Sequence, residues 1–395
     1  MSDLLEHSVA HEHKPPPSAP NLAALDHFAE IWSIDFEFGQ DRNLLPDVRC
    51  LVAQELRSGR RCAYWRDRLQ GLPRPPFRVD GTTLIVVFYG LAELGCFAQL
   101  EWQYPENLID LYAEYRCKWN GIQLDCSGLI GVAKRLGVIA PGDVHKGDMR
   151  NLAVRGGPYS EEEKKSLLAY CGGDVATTAG VFRRLADAGW FETPNHLGQA
   201  LLRGKYLSAL ADAERLGIPI DREMLSACCD NWGEIRKALI SDLDQDFQVY
   251  DGETFKEARF AEYLRKSGIP WPRTENGRLK LDAETFKERA LLYPQIAPLR
   301  MLRKTLSQVR AIKLTVGADG RNRYMQSPFG TVTGRYNPST TKAAFGLPRW
   351  MRGLVRPAAG ADFPISIGRS RSSALRQRSP GIPKCNPHTN QAIPI

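Results

Sequence analysis

Two carboxylates stand two residues apart within a run of large apolar side chains in the first tenth of the chain. Asp35 and Glu37 alternate with Ile34, Phe36 and Phe38. Successive side chains of a β-strand point to opposite faces, so both acids are expected on one face and the apolar residues on the other. Like charges side by side repel each other, and a divalent cation with oxygen ligands relieves that repulsion. The pattern also fits the polar face of an edge strand, so the pair alone leaves both interpretations open.

A second pair of reactive side chains lies farther along the chain. Tyr170 and Asp174 are four residues apart, a spacing that puts them on one face of a helix. Ser160 and Glu163 have the spacing of a capping box, which predicts that this helix begins at Ser160. A tyrosine beside a carboxylate also occurs where the ring packs in a core and the acid is solvated. The pair therefore marks a candidate site without defining one.

The segments around these residues predict an α/β domain with a mixed sheet. Apolar, β-branched runs are typical of strands, and Gly or Ser with charged residues between them is typical of turns. Strands followed by interleaved helices favour the α/β class. The predicted strands cover residues 31–38, 49–56 and 83–89, and one more follows the turn at 57–60. One helix is predicted to begin at residue 91, and two more are predicted at 107–115 and 160–185.

Composition limits the class of protein. A chain of 395 residues is long enough for two or three domains, and 43% hydrophobic with 25% charged residues is ordinary for a soluble protein. The net charge of +8 leans toward a polyanionic partner, although many basic proteins have none. No apolar run approaches the roughly 20 residues of a membrane helix. Nine scattered cysteines without repeated Cys-x-x-Cys pairs indicate reduced thiols and a cytoplasmic protein.

The two pairs of residues, in this order, resemble the motifs of the DEDD-type proofreading exonuclease with a tyrosine found in family A DNA polymerases such as bacterial DNA polymerase I. Asp35-Phe36-Glu37 matches the first motif, and Tyr170-x-x-x-Asp174 matches the third. The second motif is a strand and a helix that bring an Asp, and Glu93 stands in that place. Tyr89 and Ala92 replace the Asn and the aromatic residue that precede the acid in the family.

The resemblance implies a ribonuclease H-like mixed sheet and hydrolysis of DNA from its 3′ end by a pair of metal ions. It implies that Asp35 bridges the two ions, that Glu37 and Asp174 hold the ion that activates water, and that Glu93 approaches the second. It also implies that the Tyr170 hydroxyl orients the water. Oxygen ligands favour Mg²⁺ or Mn²⁺ over zinc. Asp110, a further acidic position downstream, is expected to lie behind the metal ligands or to be structural.

The second half resembles the start of the polymerase region of the same family. Gly217-Ile218-Pro219-Ile220-Asp221 matches the Gly-(Ile/Val)-x-(Ile/Val)-Asp run with which a helix of that region ends, and the stretches at 320–323 and 331–335 resemble elements near the primer–template. Helices are predicted at 223–246, from 284 and at 298–314, and those from 284 onward resemble the thumb that grips duplex phosphates. Basic residues on the last helix fit a solvated face equally well. The implied DNA-binding residues are Arg300, Arg303, Lys304, Arg321, Arg323, Thr333, Arg335 and Arg352.

The resemblance covers about residues 32–360 and then stops. The family continues with Asp-x-Ser-Gln-x-Glu, but this chain has a run rich in Arg, Ser and Pro. Synonymous codons allow the neighbouring reading frame to encode Tyr-Ile-Asp-Trp-Ser-Gln-Gln-Glu-Phe, which suggests a frameshift near residue 361. We therefore expect a disordered tail (1–27), a 3′–5′ exonuclease-like domain (28–195), a truncated polymerase region with a mostly α-helical thumb and an incomplete palm (196–360), and a frameshifted, disordered tail (361–395).

The sequence thus predicts a metal-dependent 3′–5′ exodeoxyribonuclease of the DNA polymerase I type that has lost DNA synthesis, because both palm carboxylates are missing. Its partners would be a single-stranded 3′ end of DNA in the exonuclease site and duplex DNA at the thumb. It is expected to be a cytoplasmic, nucleoid-associated monomer without membrane contact. One alternative is a DNA-binding remnant without catalysis, and another is a gene fragment whose product never folds stably.

Overall fold

Five strands form the sheet on which the candidate site is built. They are β1 (Glu30–Gln40), β2 (Pro46–Glu55), β3 (Arg61–Trp65), β4 (Thr83–Val87) and β5 (Asn107–Asp110). The computed structural model, which describes residues 25–122, 127–139, 146–311, 314–338, 342–347 and 349–357, places them in the order β3-β2-β1-β4-β5. β1 runs antiparallel to β2 and parallel to β4. The prediction of a mixed sheet is therefore confirmed.

Seven helices of the described residues follow or cover this sheet. The long helix that carries Tyr170 and Asp174 lies on the face of β1 and β2 where Val52 and Val175 are buried. The opposite face, with Ile34 and Phe36, packs against the second and seventh helices. The helices are α1 (Arg66–Leu69), α2 (Gly90–Gln99), α3 (Leu111–Lys118), α4 (Leu129–Arg135), α5 (Lys146–Arg155), α6 (Glu161–Asp187) and α7 (Pro194–Leu216).

The segment predicted as one helix over 107–115 is a strand followed by a helix, so that prediction is wrong in its first half. β5 pairs parallel with β4, with Leu108 opposite Ile85, and both residues are buried. The side chain of Asp110 then accepts a hydrogen bond from the backbone N–H of Tyr112 at 2.9 Å, which caps α3. An N-cap residue has extended backbone, so the helix begins only after Asp110.

A second, helical part has its own hydrophobic core around Phe260, Phe286 and Leu299. The predicted helix at 223–246 is two helices, because Asn231 leaves the helical conformation and its side-chain amide bonds to the Ala227 carbonyl at 2.9 Å. The elements are α8 (Arg222–Asp230), α9 (Trp232–Leu243), β7 (Tyr250–Asp251), β8 (Thr254–Phe255), α10 (Glu257–Lys266), α11 (Ala283–Leu292) and α12 (Ala297–Ala311).

Short antiparallel strand pairs organise the segments beyond α7. β6 (Ile218–Pro219) pairs with β9 (Arg321–Asn322). β10 (Gln326–Ser327) pairs with β11 (Asn337–Pro338) and closes a hairpin, here called the 326–338 hairpin, whose loop contains the predicted Thr-x-Thr-Gly-Arg stretch. The two ends of the loop are therefore held together by the β10–β11 strand pair.

The predicted domain limits stay predictions. The expected boundary at 195/196 falls in the first turn of α7, and Leu207 and Leu210 of this helix belong to the core of the sheet. Leu25, inside the predicted N-terminal tail, is buried, whereas residues 1–24 and 361–395 lie outside the described residues. The described residues up to Val355 belong to one unit. None of the helices that the structure describes has the length and apolarity needed to cross a membrane.

Candidate metal centre and nucleic-acid contacts

The candidate site lies where parallel strands end. β1, β4 and β5 run in the same direction, so their carboxyl ends share one edge of the sheet. Asp35 and Glu37 lie in the second half of β1, beyond the part that pairs with β4. Ile34 and Phe36, on the opposite face, are 1% and 4% exposed. The predicted division of this strand into an acidic and an apolar face is confirmed.

α6 approaches the acidic face of β1. Its capping box is present as predicted, since the Ser160 hydroxyl accepts from the Glu163 N–H at 3.1 Å and the Glu163 carboxylate accepts from the Ser160 N–H at 2.8 Å. Farther along, the Cys171 thiol donates to the carbonyl of Asp35 at 3.1 Å. The Ser33 hydroxyl donates to the carbonyl of Val175 at 3.0 Å. These two bonds hold the middle of α6 against the strand that carries the acids.

Three carboxylates converge as a result. One oxygen from each of Asp35, Glu37 and Asp174 lies within 4.8 Å of the others, and all three side chains are half-buried. Three negative charges so close together repel each other, and their donor atoms are all hard oxygens. The donor set therefore fits Mg²⁺ or Mn²⁺ better than a thiophilic metal.

Tyr170 lies beside this cluster. Its hydroxyl is hydrogen-bonded to Asp174, and burial together with the charges of Asp174 and Glu37 raises the pKa of the phenol. The hydroxyl is consequently protonated at neutral pH and remains a hydrogen-bond donor. Sequence reasoning placed Tyr170 and Asp174 on one helix face, and the structure does bring them together.

Glu93 lies behind the cluster. It is 4% exposed, and its Oε2 accepts a hydrogen bond from the backbone N–H of Phe36 at 3.0 Å. Burial, followed by the charges of Asp35 and Glu37, raises its pKa well above the usual range. Among the described residues it is not part of the three-carboxylate group. Its role as a metal ligand stays a prediction.

Asp110 and Tyr89 shape the same edge of the sheet. One carboxylate oxygen of Asp110 accepts from the backbone N–H groups of Tyr89 and Tyr112, each at 2.9 Å. Burial raises the pKa of Asp110 to about 6. Tyr89 precedes α2 with a left-handed backbone, φ +75°. These bonds connect the ends of β4 and β5, in keeping with the expectation that Asp110 is structural.

Buried thiols near the acids were not anticipated from the sequence. Cys50 lies opposite Glu37 in the β1–β2 register, and Cys171 bonds to Asp35. Burial raises the pKa of Cys96 and of Cys171 well above the usual range. Buried, protonated thiols act as small apolar side chains. The position of Cys171 directly after Tyr170 was the only signal available for its role.

The predicted DNA-binding residues of α12 differ in their surroundings. Arg303 donates to the carbonyl of Leu281 at 3.0 Å, and its guanidinium lies 4.4 Å and 4.6 Å from the ring centroids of Phe255 and Phe286. Arg300 is half-buried and Lys304 is exposed. Arg303 thus has a packing role within the helical part, while Lys304 is open to a ligand.

Arg321 and Arg323 bond to the end of α7. Arg321 donates to the carbonyl of Leu216 at 2.9 Å, and Arg323 donates to the carbonyl of Arg215 at 2.8 Å. Arg323 also pairs with Asp319 at 2.7 Å. Cations at the last carbonyls of a helix stabilise its C-terminus.

The remaining predicted contacts face solvent. Thr333 and Arg335 are exposed in the loop of the 326–338 hairpin. The Thr333 hydroxyl lies 3.1 Å from the hydroxyl of Thr331. Arg352 is exposed in the short 3₁₀ helix at Arg349–Leu354. Their positions permit contact with a ligand, and their roles stay predictions.

Comparisons with known proteins identify a fold class. No protein-family model and no curated protein matches the chain. Among solved structures, the chain is similar to a polymerase domain, described as the POL domain of Pol1 from M. smegmatis in complex with DNA primer-template and dNTP. The TM-score is 0.54 with 12% sequence identity. The alignment covers 87% of this chain and 59% of that one, so the chain spans less than two thirds of its neighbour. At this identity the likeness concerns the fold.

Proposed function

We propose that this chain is a DNA-processing protein of the polymerase I type whose sheet domain hydrolyses DNA from its 3′ end with Mg²⁺ or Mn²⁺. The observation that carries the proposal is the convergence of Asp35, Glu37 and Asp174 within 4.8 Å. The acids come from a strand and a distant helix, so their meeting is a product of the fold. The likeness in fold to a polymerase domain solved with DNA supports nucleic acid as the substrate.

The proposed site would hold its cations through Asp35, Glu37 and Asp174. When bound, such cations supply charge neutralisation at the phosphate and lower the pKa of a bound water. Tyr170, whose hydroxyl stays protonated beside Asp174, is suited to donate a hydrogen bond and to orient the attacking water. The Cys171 thiol and the Glu93 carboxylate bond to the backbone on either side of the Asp35–Phe36 peptide, and so fix the first acid.

Glu93 is proposed as the fourth acid of the site. One of its oxygens accepts the Phe36 N–H, and the charges of Asp35 and Glu37 act on it. Its second oxygen is the atom through which it would contribute to cation binding. Mutation of Glu93 to Gln separates that contribution from the hydrogen bond.

DNA synthesis is not proposed for this chain. The palm motif Asp-x-Ser-Gln-x-Glu, which would bring the first catalytic aspartate of nucleotidyl transfer, is absent from the sequence. We propose that residues 196–360 correspond to a thumb and the start of a palm. The nucleotide sequence around codon 361 tests the frameshift, because an open neighbouring frame must encode the missing motif.

The nuclease proposal is tested with single-stranded DNA labelled at its 5′ end, incubated with Mg²⁺ or Mn²⁺ and no nucleotides. We expect stepwise shortening that Asp35→Ala abolishes. Glu288→Ala is the matched control, since Glu288 is exposed on α11. A wild-type protein that leaves the strand intact, or an Asp35→Ala protein as active as the control, would refute the proposal.

A second candidate function is DNA binding without catalysis. It is favoured by one observation: Glu93 accepts the Phe36 N–H inside the core and, among the described residues, is not one of the three carboxylates that converge. The same assay separates the two functions. Binding of the labelled strand without shortening in either cation supports the second.

A further inference from the structure

Three aromatic side chains form a partly exposed surface at the junction of α7 and the 326–338 hairpin. We call Tyr206, Phe329 and Tyr336 the aromatic surface. The rings of Tyr206 and Phe329 lie 5.8 Å apart between centroids, at 55°. Burial, followed by the effect of Tyr336, raises the pKa of the Tyr206 phenol. Tyr206 is 40% and Tyr336 38% exposed, so about a third or more of each side chain faces solvent.

The hairpin that carries two of these rings is held in place from the sheet domain. Arg116 of α3 donates to the hydroxyl of Ser327 at 2.6 Å. The hydroxyl of Tyr89 donates to the carbonyl of Gln326 at 2.9 Å. Both bonds meet the base of the hairpin, so the aromatic surface is presented in one arrangement rather than on a free loop. Preorganised rings bind a ligand with a smaller loss of conformational entropy.

These anchors also locate the surface relative to the candidate metal centre. Tyr89 follows the carboxyl end of β4, and Arg116 lies in the helix that follows β5. The carboxyl ends of β4 and β5 share an edge of the sheet with the half of β1 that carries Asp35 and Glu37. The hairpin therefore docks on the same edge of the sheet as the three-carboxylate group.

The charge around the aromatic surface favours an anion. Lys205 and Arg335 are exposed, and within the described part of the chain neither these two nor Arg116 forms an ion pair with a carboxylate. Glu214, an acid at the base of the hairpin, accepts the backbone N–H of Gln326 at 2.7 Å. Lys205 directly precedes Tyr206 in the chain and Arg335 directly precedes Tyr336, so each exposed ring has a cation as its chain neighbour. Rings and cations are the combination that binds bases and phosphates of single strands.

We propose that the aromatic surface is a stacking site for the unpaired bases of single-stranded DNA, with Tyr206 and Tyr336 as the stacking residues and Lys205 and Arg335 contacting the backbone. Duplex DNA hides the faces of its bases, so a stacking site selects unpaired strands. The assignment deepens the proposed function and rests on it in one respect, since the held strand would be the substrate of the metal centre.

Fluorescence anisotropy tests the assignment with the full chain in excess EDTA, where no hydrolysis occurs. The probes are 5′-fluorescein oligothymidylate and a blunt duplex of equal length. We expect Tyr206→Leu and Tyr336→Leu each to weaken binding of the single strand about five- to hundredfold, because the leucines keep apolar area but remove the ring. Tyr206→Phe and Tyr336→Phe keep the ring and should bind within about twofold of wild type.

The control is Phe345→Leu, which changes a ring that is 64% exposed outside the aromatic surface and should leave binding unchanged. Circular dichroism of each variant confirms folding. Leu variants that bind oligothymidylate as the control does would overturn the assignment, as would equal losses for the duplex or a wild type without affinity for either probe.

Asp35→Ala separates this result from the nuclease proposal. In EDTA its binding of oligothymidylate should still weaken when Tyr206→Leu or Tyr336→Leu is added, because Asp35 is not part of the aromatic surface. Binding that depends on the two tyrosines, with no hydrolysis in Mg²⁺ or Mn²⁺, would retain the stacking site and refute the nuclease. Hydrolysis in Mg²⁺ or Mn²⁺ together with oligothymidylate binding that Tyr206→Leu and Tyr336→Leu do not change would support the nuclease and refute the stacking site.

Discussion

The carboxylate of Glu93 on α2 and the backbone N–H of Phe36 on β1 are joined by a buried hydrogen bond of 3.0 Å. Phe36 stands between Asp35 and Glu37, so this bond fixes the backbone from which both candidate ligands project. A buried acid beside two others is costly when it is ionised, as the raised pKa of Glu93 shows. Glu93 therefore has a structural task in addition to any part in cation binding.

Substitution of Glu93 separates these two tasks. Glu93→Gln retains an oxygen that can accept the Phe36 N–H and removes the buried charge, so we expect an unchanged or higher midpoint of urea unfolding. Glu93→Ala leaves a buried donor without its partner and should lower stability by about 1–3 kcal/mol. In the nuclease assay both should lose at least tenfold in rate, and Glu93→Asp should retain more activity than Glu93→Ala.

A Glu93→Gln protein with wild-type nuclease rate would contradict the role of Glu93 as a ligand while leaving the hydrogen bond intact. Equal losses in the Asp and Ala variants would point the same way. Glu162→Gln, at an exposed acid in the first turn of α6, controls for the removal of one charge.

Cation binding should appear as a change in thermal stability. Mg²⁺ or Mn²⁺ held by the folded carboxylates stabilises the native state by linkage, by about 2.7 kcal/mol at a concentration 100 times the Kd. Asp174→Asn should be more stable than wild type in EDTA, because it removes one of three repelling charges, and should gain less from the cation. Circular dichroism melts with and without cation measure both effects, and an identical cation-induced shift in the two proteins would exclude Asp174 as a ligand.

Local patterns were sufficient to predict the strand and the helix that carry the acids of the site. Alternation of acids with Ile34 and Phe36 depends only on the two-residue period of a strand, and the capping box at Ser160 depends on a spacing of three. Both are short-range rules, and both hold in the structure. The resemblance to an exonuclease predicted that β1 and α6 lie together, and the spacing of residues alone could not predict this.

Longer-range contacts were beyond the sequence patterns. Asn107–Asp110 forms a strand because it pairs with β4. Four residues next to a helix are too few to show the two-residue alternation that is typical of a strand. The sequence left open whether Arg303 faces phosphate or solvent, and the rings of Phe255 and Phe286 lie beside its guanidinium. The sequence does not show whether a basic side chain on a helix will contact carbonyls and rings of the protein or will contact a ligand.

Glu214 should make stability depend on pH. This half-buried acid accepts the Gln326 N–H, faces Tyr89 and Tyr324, and has its pKa raised by burial from 4.5 to about 7. Between these values the folded state holds a proton that the unfolded state has lost, so the contribution of Glu214 to stability falls as pH rises, by at most about 3 kcal/mol. Urea unfolding at pH 5 and pH 8 measures the fall.

Glu214→Gln should remove that part of the pH dependence, because the amide cannot ionise and can still accept the Gln326 N–H. Glu234→Gln, at an exposed acid on α9, should leave it as in wild type. An identical difference between pH 5 and pH 8 in the wild type and the Glu214→Gln protein would contradict the assignment.

Gly204 is the position where α7 touches the sheet most closely. A Cβ atom there would lie 2.0 Å from the carbonyl oxygen and 2.8 Å from the carbonyl carbon of Leu108 in β5. Backbone cannot give way as a flexible side chain does, so Gly204→Ala must push α7 away from β5, and we expect a cost of at least about 3 kcal/mol in urea unfolding. Gly198, on the same helix with nothing within 4 Å of its Cβ position, provides the matched control.

Gly198→Ala should raise stability by up to about 1 kcal/mol, because alanine favours a helix over glycine without meeting any neighbour. The two variants therefore make the same chemical change with opposite expected signs. Tyr206 lies two residues beyond Gly204, so the displaced helix should also weaken binding of single-stranded oligothymidylate, whereas Gly198→Ala should not. If Gly204→Ala were tolerated as well as Gly198→Ala, α7 could not lie against β5 as closely as described, and the surface that it forms with the 326–338 hairpin would lose its support.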